Sequence, residues 1–188
     1  MDASNSAEAS GHGIKSSPPL LDGIDHVAIL THDSDRLHRF YREVFDATVR
    51  RDTATEGGTS TFRLSFIKVG PVHDLNVFEI AGNTEADHQT PMFGRGRIDH
   101  LALLAASVDA FGEIRARLIG CGASDGFVTD FGSQLSIFFR DPDGLECEVC
   151  VPNPDAQPGV FHPPGTPSPR FMTEPSGNAT GDTGLPAG

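Results

Sequence analysis

Two histidines occupy the same place in two near-identical phrases, IDHVAIL at 24–30 and IDHLALL at 98–104. His26 and His100 are 74 positions apart, and Ile24, Asp25, Ala28 and Leu30 recur at the same offset as Ile98, Asp99, Ala102 and Leu104. Each histidine is followed by a glutamate in a later apolar segment: Glu79 in NVFEI, 53 positions on, and Glu148 in LECEVC, 48 positions on. A lone histidine in an apolar strand is ordinarily a hydrogen-bonded core residue, but a matched pair, each with its own carboxylate, asks for a common partner. A buried carboxylate left alone costs several kcal/mol. Imidazole nitrogen and carboxylate oxygen suit Zn, Ni, Co, Mn or Fe(II). His26, Glu79, His100 and Glu148 would therefore satisfy one another best around one divalent metal ion, with room for two waters.

The elements that must position these groups can be read from the apolar spacing. After the first phrase, Leu37, Phe40, Tyr41, Val44 and Phe45 recur with the period of an amphipathic helix, capped by Asp33 or Ser34. After the second, Val108, Phe111, Ile114 and Leu118 do the same, with Ser107 as cap and Gly120 or Gly122 as the stop. Strands follow each helix. TFRLSFIKV alternates, with Phe62, Leu64 and Phe66 on one face and Arg63 and Ser65 on the other. SQLSIFFR sets Leu135, Ile137 and Phe139 against Gln134, Ser136 and Phe138, and DPDG then turns the chain into LECEVCV. In that last strand Glu146, Glu148 and Cys150 share a face. Segments 53–58 and 83–97 read as loops. The order strand, helix, three strands occurs twice, and two such units sharing one core is the economical arrangement, because a single unit cannot cover both faces of its sheet.

The bulk properties bound the rest. The chain of 188 residues carries 14 Lys and Arg against 26 Asp and Glu, a net charge of −12. Phosphate-backbone binding runs on Lys and Arg, so no nucleic-acid partner is expected. No apolar run reaches the roughly 18 residues of a membrane span. The first 20 residues are small and polar without a signal-peptide pattern and read as a disordered N-terminal tail. Residues 153–188, rich in Pro, Gly, Ser and Thr, read as a second disordered tail. Three cysteines, an odd count, argue against a disulfide framework, and Cys147 and Cys150, three apart in a strand, face opposite ways. A reduced, cytoplasmic setting is the expectation.

The stretch IDHVAILTHDSDRLHRFYREVF, the second IDHLAL and the closing FFRDPDGLECEV resemble the vicinal oxygen chelate superfamily, which includes glyoxalase I, methylmalonyl-CoA epimerase, extradiol dioxygenases and fosfomycin- and bleomycin-resistance proteins. The resemblance spans 21–152. It implies an α+β fold of two tandem βαβββ modules, about 21–82 and 96–152, forming an open, curled mixed sheet around a metal site. It places His26, Glu79, His100 and Glu148 as ligands, with Glu148 chosen over Glu146 as the glutamate on the strand after DPDG.

The ligand order His, Glu, His, Glu is most similar to glyoxalase I of the bacterial type. It implies a lyase or isomerase that shuttles a proton through a metal-stabilised enediolate, with Glu148 as base and Glu79 as its counterpart. The implied substrate is a small molecule with vicinal oxygens, and a homodimer is the expected assembly. Leu30 stands where the bacterial enzyme has a glutathione-binding Arg, while Asn83 matches a glutathione-contacting Asn, so the thiol cofactor is left open. An Fe(II)-dependent extradiol-type dioxygenase and a non-enzymatic antibiotic-binding resistance protein are the alternatives. Arg95 and Arg97 are candidates to hold an anionic substrate. Arg63, Gln134, Ser136 and Phe138 are candidates to line the cup, and His32, His38, His73, His88 and His162 are read as surface residues.

Overall fold

The computed structural model describes residues 24–57, 60–87 and 99–172. The first module runs β1 (His26–Thr31), α1 (Ser34–Phe45), β2 (Thr48–Gly57), β3 (Ser60–Lys68) and β4 (Asp74–Ile80). The second runs β5 (Leu101–Leu104), α2 (Val108–Gly120), β6 (Val128–Asp130), β7 (Gln134–Arg140) and β8 (Glu146–Pro152). Each module folds into one four-stranded mixed sheet, in the orders β1-β4-β3-β2 and β5-β8-β7-β6. In each, the first strand pairs parallel with the last and the other pairings are antiparallel. This is the expected α+β architecture of two βαβββ units, open rather than closed.

The helices form where the spacing predicts them. Asp33 caps α1 by accepting from the Arg36 N–H, and Ser107 caps α2 by accepting from the Ala110 N–H. Helix α1 ends on Asp46 in the left-handed region, φ 51°, where its N–H reaches back to the last turn. Arg117 of α2 donates to the Glu43 and Val44 carbonyls and pairs with Asp46 at 2.9 Å, closing the C-terminal end of α1.

The modules share their interior. Phe40 and Phe45 of α1 pack on Phe139 of β7, and Val27, Ile29, Leu101 and Leu103 turn inward from β1 and β5 against the same core. Asp143, in the β7–β8 turn, accepts from Thr31 Oγ1 at 2.6 Å and pairs with Arg36, so that turn is tied to the first module.

Two expectations change. Segment 53–57 is not a loop but the end of β2, paired with β3 from Thr53 opposite Leu64 to Gly57 opposite Ser60. Its polar residues sit on an edge strand, where alternation is weakly enforced. The stretch 153–172, assigned by composition to a disordered tail, returns across the second module instead. The Asp130 N–H donates to the Thr166 carbonyl, the Ser168 N–H to the Val128 carbonyl, and Phe171 lies edge-on to Phe111 at 5.3 Å. Prolines that fix φ reduce the entropy lost on ordering, and backbone bonds to the short edge strand β6 replace the core that the composition lacks. Residues 1–20 and 173–188 lie outside the described residues.

Candidate functional site

The second module brings its histidine and glutamate together. In the parallel pairing of β5 with β8, Ala102 lies opposite Glu148, and His100 reaches diagonally across. His100 Nε2 stands 3.0 Å from Glu148 Oε2, and His100 Nδ1 stands 2.8 Å from Asp99 Oδ2. The Glu148 side chain is 8% exposed and that of His100 28%. The Asp99 bond, with burial opposing it and Glu148 adding to it, raises the His100 imidazole above its ordinary pKa. An imidazole tied at Nδ1 by a carboxylate presents Nε2 in one orientation, the arrangement ordinarily seen behind a metal-bound histidine. Both groups open on a cavity of about 350 Å³ that Gln134 and Phe138 also line, as expected, together with Phe131.

The first module repeats half of this. His26 Nδ1 is 2.8 Å from Asp25 Oδ2, the same relation as His100 to Asp99. The repeated phrase contains that aspartate, so this His-Asp pairing was legible in the sequence and was missed. His26 is exposed, on the same outward face as Ala28 and Leu30, and lines a different cavity with His73, Asp74 and Leu75.

Glu79 does not join His26, contrary to the expected pairing. Along β1 and β4, His26 lies opposite Asp74 and Glu79 opposite Thr31. Five residues of strand separate them, roughly 16 Å at the usual rise. They also lie on opposite faces: Glu79 follows Leu75 and Val77 toward the helix side, where its Oε2 accepts from the Ser34 N–H at the start of α1. A carboxylate there is held by free helix-end amides and the helix dipole. The first-module position equivalent to Glu148 is Asn76, which lies opposite Ala28 as Glu148 lies opposite Ala102. Asn76 Oδ1 is buried without a hydrogen-bond partner.

The remaining candidates separate. Arg63 faces the helix side of its sheet, bound to Asp52 and Asp35, and holds both carboxyls below their usual range. Ser136 is buried and accepts from Gln134. His38 is not a surface residue: it is 2% exposed, 2.6 Å from Ser65 Oγ, and burial lowers its pKa. Among the described residues, Asp35, His38 and Asp52 alone form a trio of possible ligands with mutually close atoms, and Arg63 already bridges its two aspartates. His32 and His73 are exposed. His162 lies 3.3 Å from Asp130. Cys147 is buried in the core while Cys150 faces the other way, and neither is in a disulfide. Arg95, Arg97 and His88 lie outside the described residues.

The chain is similar to 2-epi-5-epi-valiolone epimerase from Actinomyces sp., 29% identical over 158 residues, covering 74% of this chain and 82% of that protein. Among solved structures, a glyoxalase family protein from Bacillus cereus matches with a TM-score of 0.58 at 18% identity, covering 74% of this chain and 98% of that one. A glyoxylase/bleomycin resistance protein/dioxygenase domain from Frankia sp. matches at 0.54 and 24% identity, covering 71% and 94%. These structural likenesses speak to the fold. One family model matches residues 23–149, which take in both modules, and the chain belongs to the Glyoxalase/Bleomycin resistance protein/Dioxygenase superfamily.

Proposed function

We propose that this chain is a metal-dependent enzyme that moves a proton next to a carbonyl in a small molecule with adjacent oxygens, as an epimerase or isomerase rather than a glutathione lyase. The observation that carries the reading is the Asp99–His100–Glu148 arrangement, an oriented imidazole and a buried carboxylate sharing one cavity. The similarity to an epimerase supports the isomerising outcome. The donor set fits a divalent ion: His100 Nε2 and Glu148 Oε2 face the same space, with His100 Nδ1 already bound elsewhere. When bound there, the cation polarises the substrate's oxygens as a Lewis acid. Asp99 fixes the imidazole. Glu148 takes the proton alpha to the carbonyl and returns it to carbon. His26, with its own aspartate, supplies the second imidazole from another copy of the chain, and Asn76, its amide oxygen buried without a partner, stands where a second carboxylate would be the fourth ligand.

The experiment is elemental analysis of the purified protein, followed by proton–deuteron exchange of cyclic and acyclic α-hydroxy ketones in heavy water. Wild type should exchange the α-proton only when loaded with metal, and Glu148→Gln should lose at least a hundredfold in exchange rate. Full metal content with full exchange in Glu148→Gln would remove Glu148 from the base role. One observation favours a second reading. With Asn76 at the fourth position the donors become two histidines and one glutamate, the set that ring-cleaving dioxygenases of this superfamily use for iron. Oxygen uptake with catechol under Fe(II), without α-proton exchange, would decide for it.

A further inference from the structure

The cavity holding His100 and Glu148 has a wall that the repeated modules do not supply. Phe131, Phe138, Pro164 and Gly165 supply its apolar lining. The last two belong to a strap beyond the residues matched by the family model. The strap is fastened at several points. His162 N–H donates to the Phe131 carbonyl, Asp130 N–H to the Thr166 carbonyl and Ser168 N–H to the Val128 carbonyl, so the strap pairs with the free edge of β6. Ser168 is buried, and Phe171 is held between Phe111 and the Arg115 guanidinium. The fit at the β6–β7 turn demands glycine: a Cβ on Gly132, which has φ +88°, would lie 2.4 Å from the Val160 carbonyl oxygen. A segment this firmly seated is part of the cavity.

Pro164 and Gly165 of the strap line the cavity together with the rings of Phe131 and Phe138. The polar residues of its lining are His100, Glu148, Gln134 and Thr129. We propose that residues 160–168 are the specificity wall of this site, closing it around the apolar part of a substrate whose adjacent oxygens face His100 and Glu148. The proposal rests on the reading of those two residues as a metal site. It assigns the substrate class more narrowly: a vicinal hydroxy-carbonyl compound carrying a ring or branched apolar group, rather than a molecule hydroxylated all round.

Two hydroxamates test it, since both chelate through adjacent oxygens and they differ only in the attached group. Cobalt(II)-loaded full-length protein is titrated with acetohydroxamate and with benzohydroxamate, and binding is read from the visible cobalt spectrum. Wild type should bind benzohydroxamate at least about tenfold more tightly, as burying a phenyl ring against apolar walls implies. Pro164→Ser, in an exposed turn, should cut that preference by roughly threefold or more and leave acetohydroxamate unchanged. Gly132→Ala, which must shift the strap at Val160, should do the same, with its fold checked by circular dichroism. An unchanged preference in both variants overturns the strap's role. If neither hydroxamate perturbs the cobalt spectrum, the metal reading fails and takes the proposal with it.

Discussion

At the scale of single residues, the two aspartates of the repeated phrase are as informative as the histidines they precede. Asp25 and Asp99 each stand 2.8 Å from the Nδ1 of the next residue, so each Nε2 is aimed before any ligand arrives. Outer carboxylates of this kind are worth about 10–100-fold in metal affinity. Asp99→Asn should weaken cobalt or zinc binding by about that factor, measured by competition with a chelator, while the melting temperature changes little. Glu79 makes the contrasting case. Its carboxylate accepts from the Ser34 N–H and lies 3.9 Å from Arg63. Glu79→Ala should therefore leave metal content unchanged and lower stability by about 1 kcal/mol in urea denaturation, the cost of a lost helix cap. A fall in metal content would instead return Glu79 to the ligand set. The structure separates the two roles, for which the sequence held only one sign. Glu79 shares its face with Leu75 and Val77, the buried residues of β4, and so cannot share the outward face of His26. The outward face, with Phe78, Ile80, Phe62 and Leu64, is apolar as well, so the alternation did not show which side was core. The spacing of 53 against 48 was the sign in the sequence that Glu79 and Glu148 were not equivalent.

At the scale of elements, the helices, their caps and the β7–β8 hairpin were legible because each rests on local chemistry. Apolar spacing, Asp33, Ser107 and DPDG all act within a few residues of where they stand. The strap was not legible, since its order comes from backbone bonds to an edge strand some 35 positions earlier (Asp130 to Thr166), which composition does not record. The DPDG turn also does more than reverse the chain. Asp141 Oδ1 accepts from the N–H groups of Asp143 and Leu145, yet burial outweighs these bonds and the nearby Asp143 charge adds to it, pushing the carboxyl up to about 6. Its folded pKa lies above its unfolded one, so the stability it gives is full below about pH 4 and is lost as pH rises through about 6. Asp141→Asn keeps an acceptor oxygen and removes the charge. The variant should gain stability relative to wild type between pH 4 and 7, by up to about 3 kcal/mol for a shift of this size, read from urea midpoints across the range. Equal pH dependence in the two proteins would mean that Asp141 ionises as freely in the fold as in the unfolded chain.

At the scale of the whole molecule, the residues proposed to hold the metal are divided between two cavities. His100 and Glu148 line one cavity, and His26 lines another. The strand faces bearing the two histidines are left open: Leu30 is 36% exposed and Leu104 73%. A two-fold dimer would bring His26 of each subunit to His100 and Glu148 of the other, and cover those faces with each other. Subunit mixing makes this testable without knowing the substrate. In homodimers of His26→Ala every site lacks its first imidazole, and in homodimers of Glu148→Ala every site lacks its carboxylate. In a mixed dimer both defects fall in one site and the other site is whole. Unfolding and refolding the two variants together at equal concentration gives mixed dimers in half the population, so about a quarter of all sites should regain tight metal binding. Each variant refolded alone should regain none. If the site were completed within one chain, mixing would restore nothing, and His26 would have to reach Glu148 without leaving its own subunit.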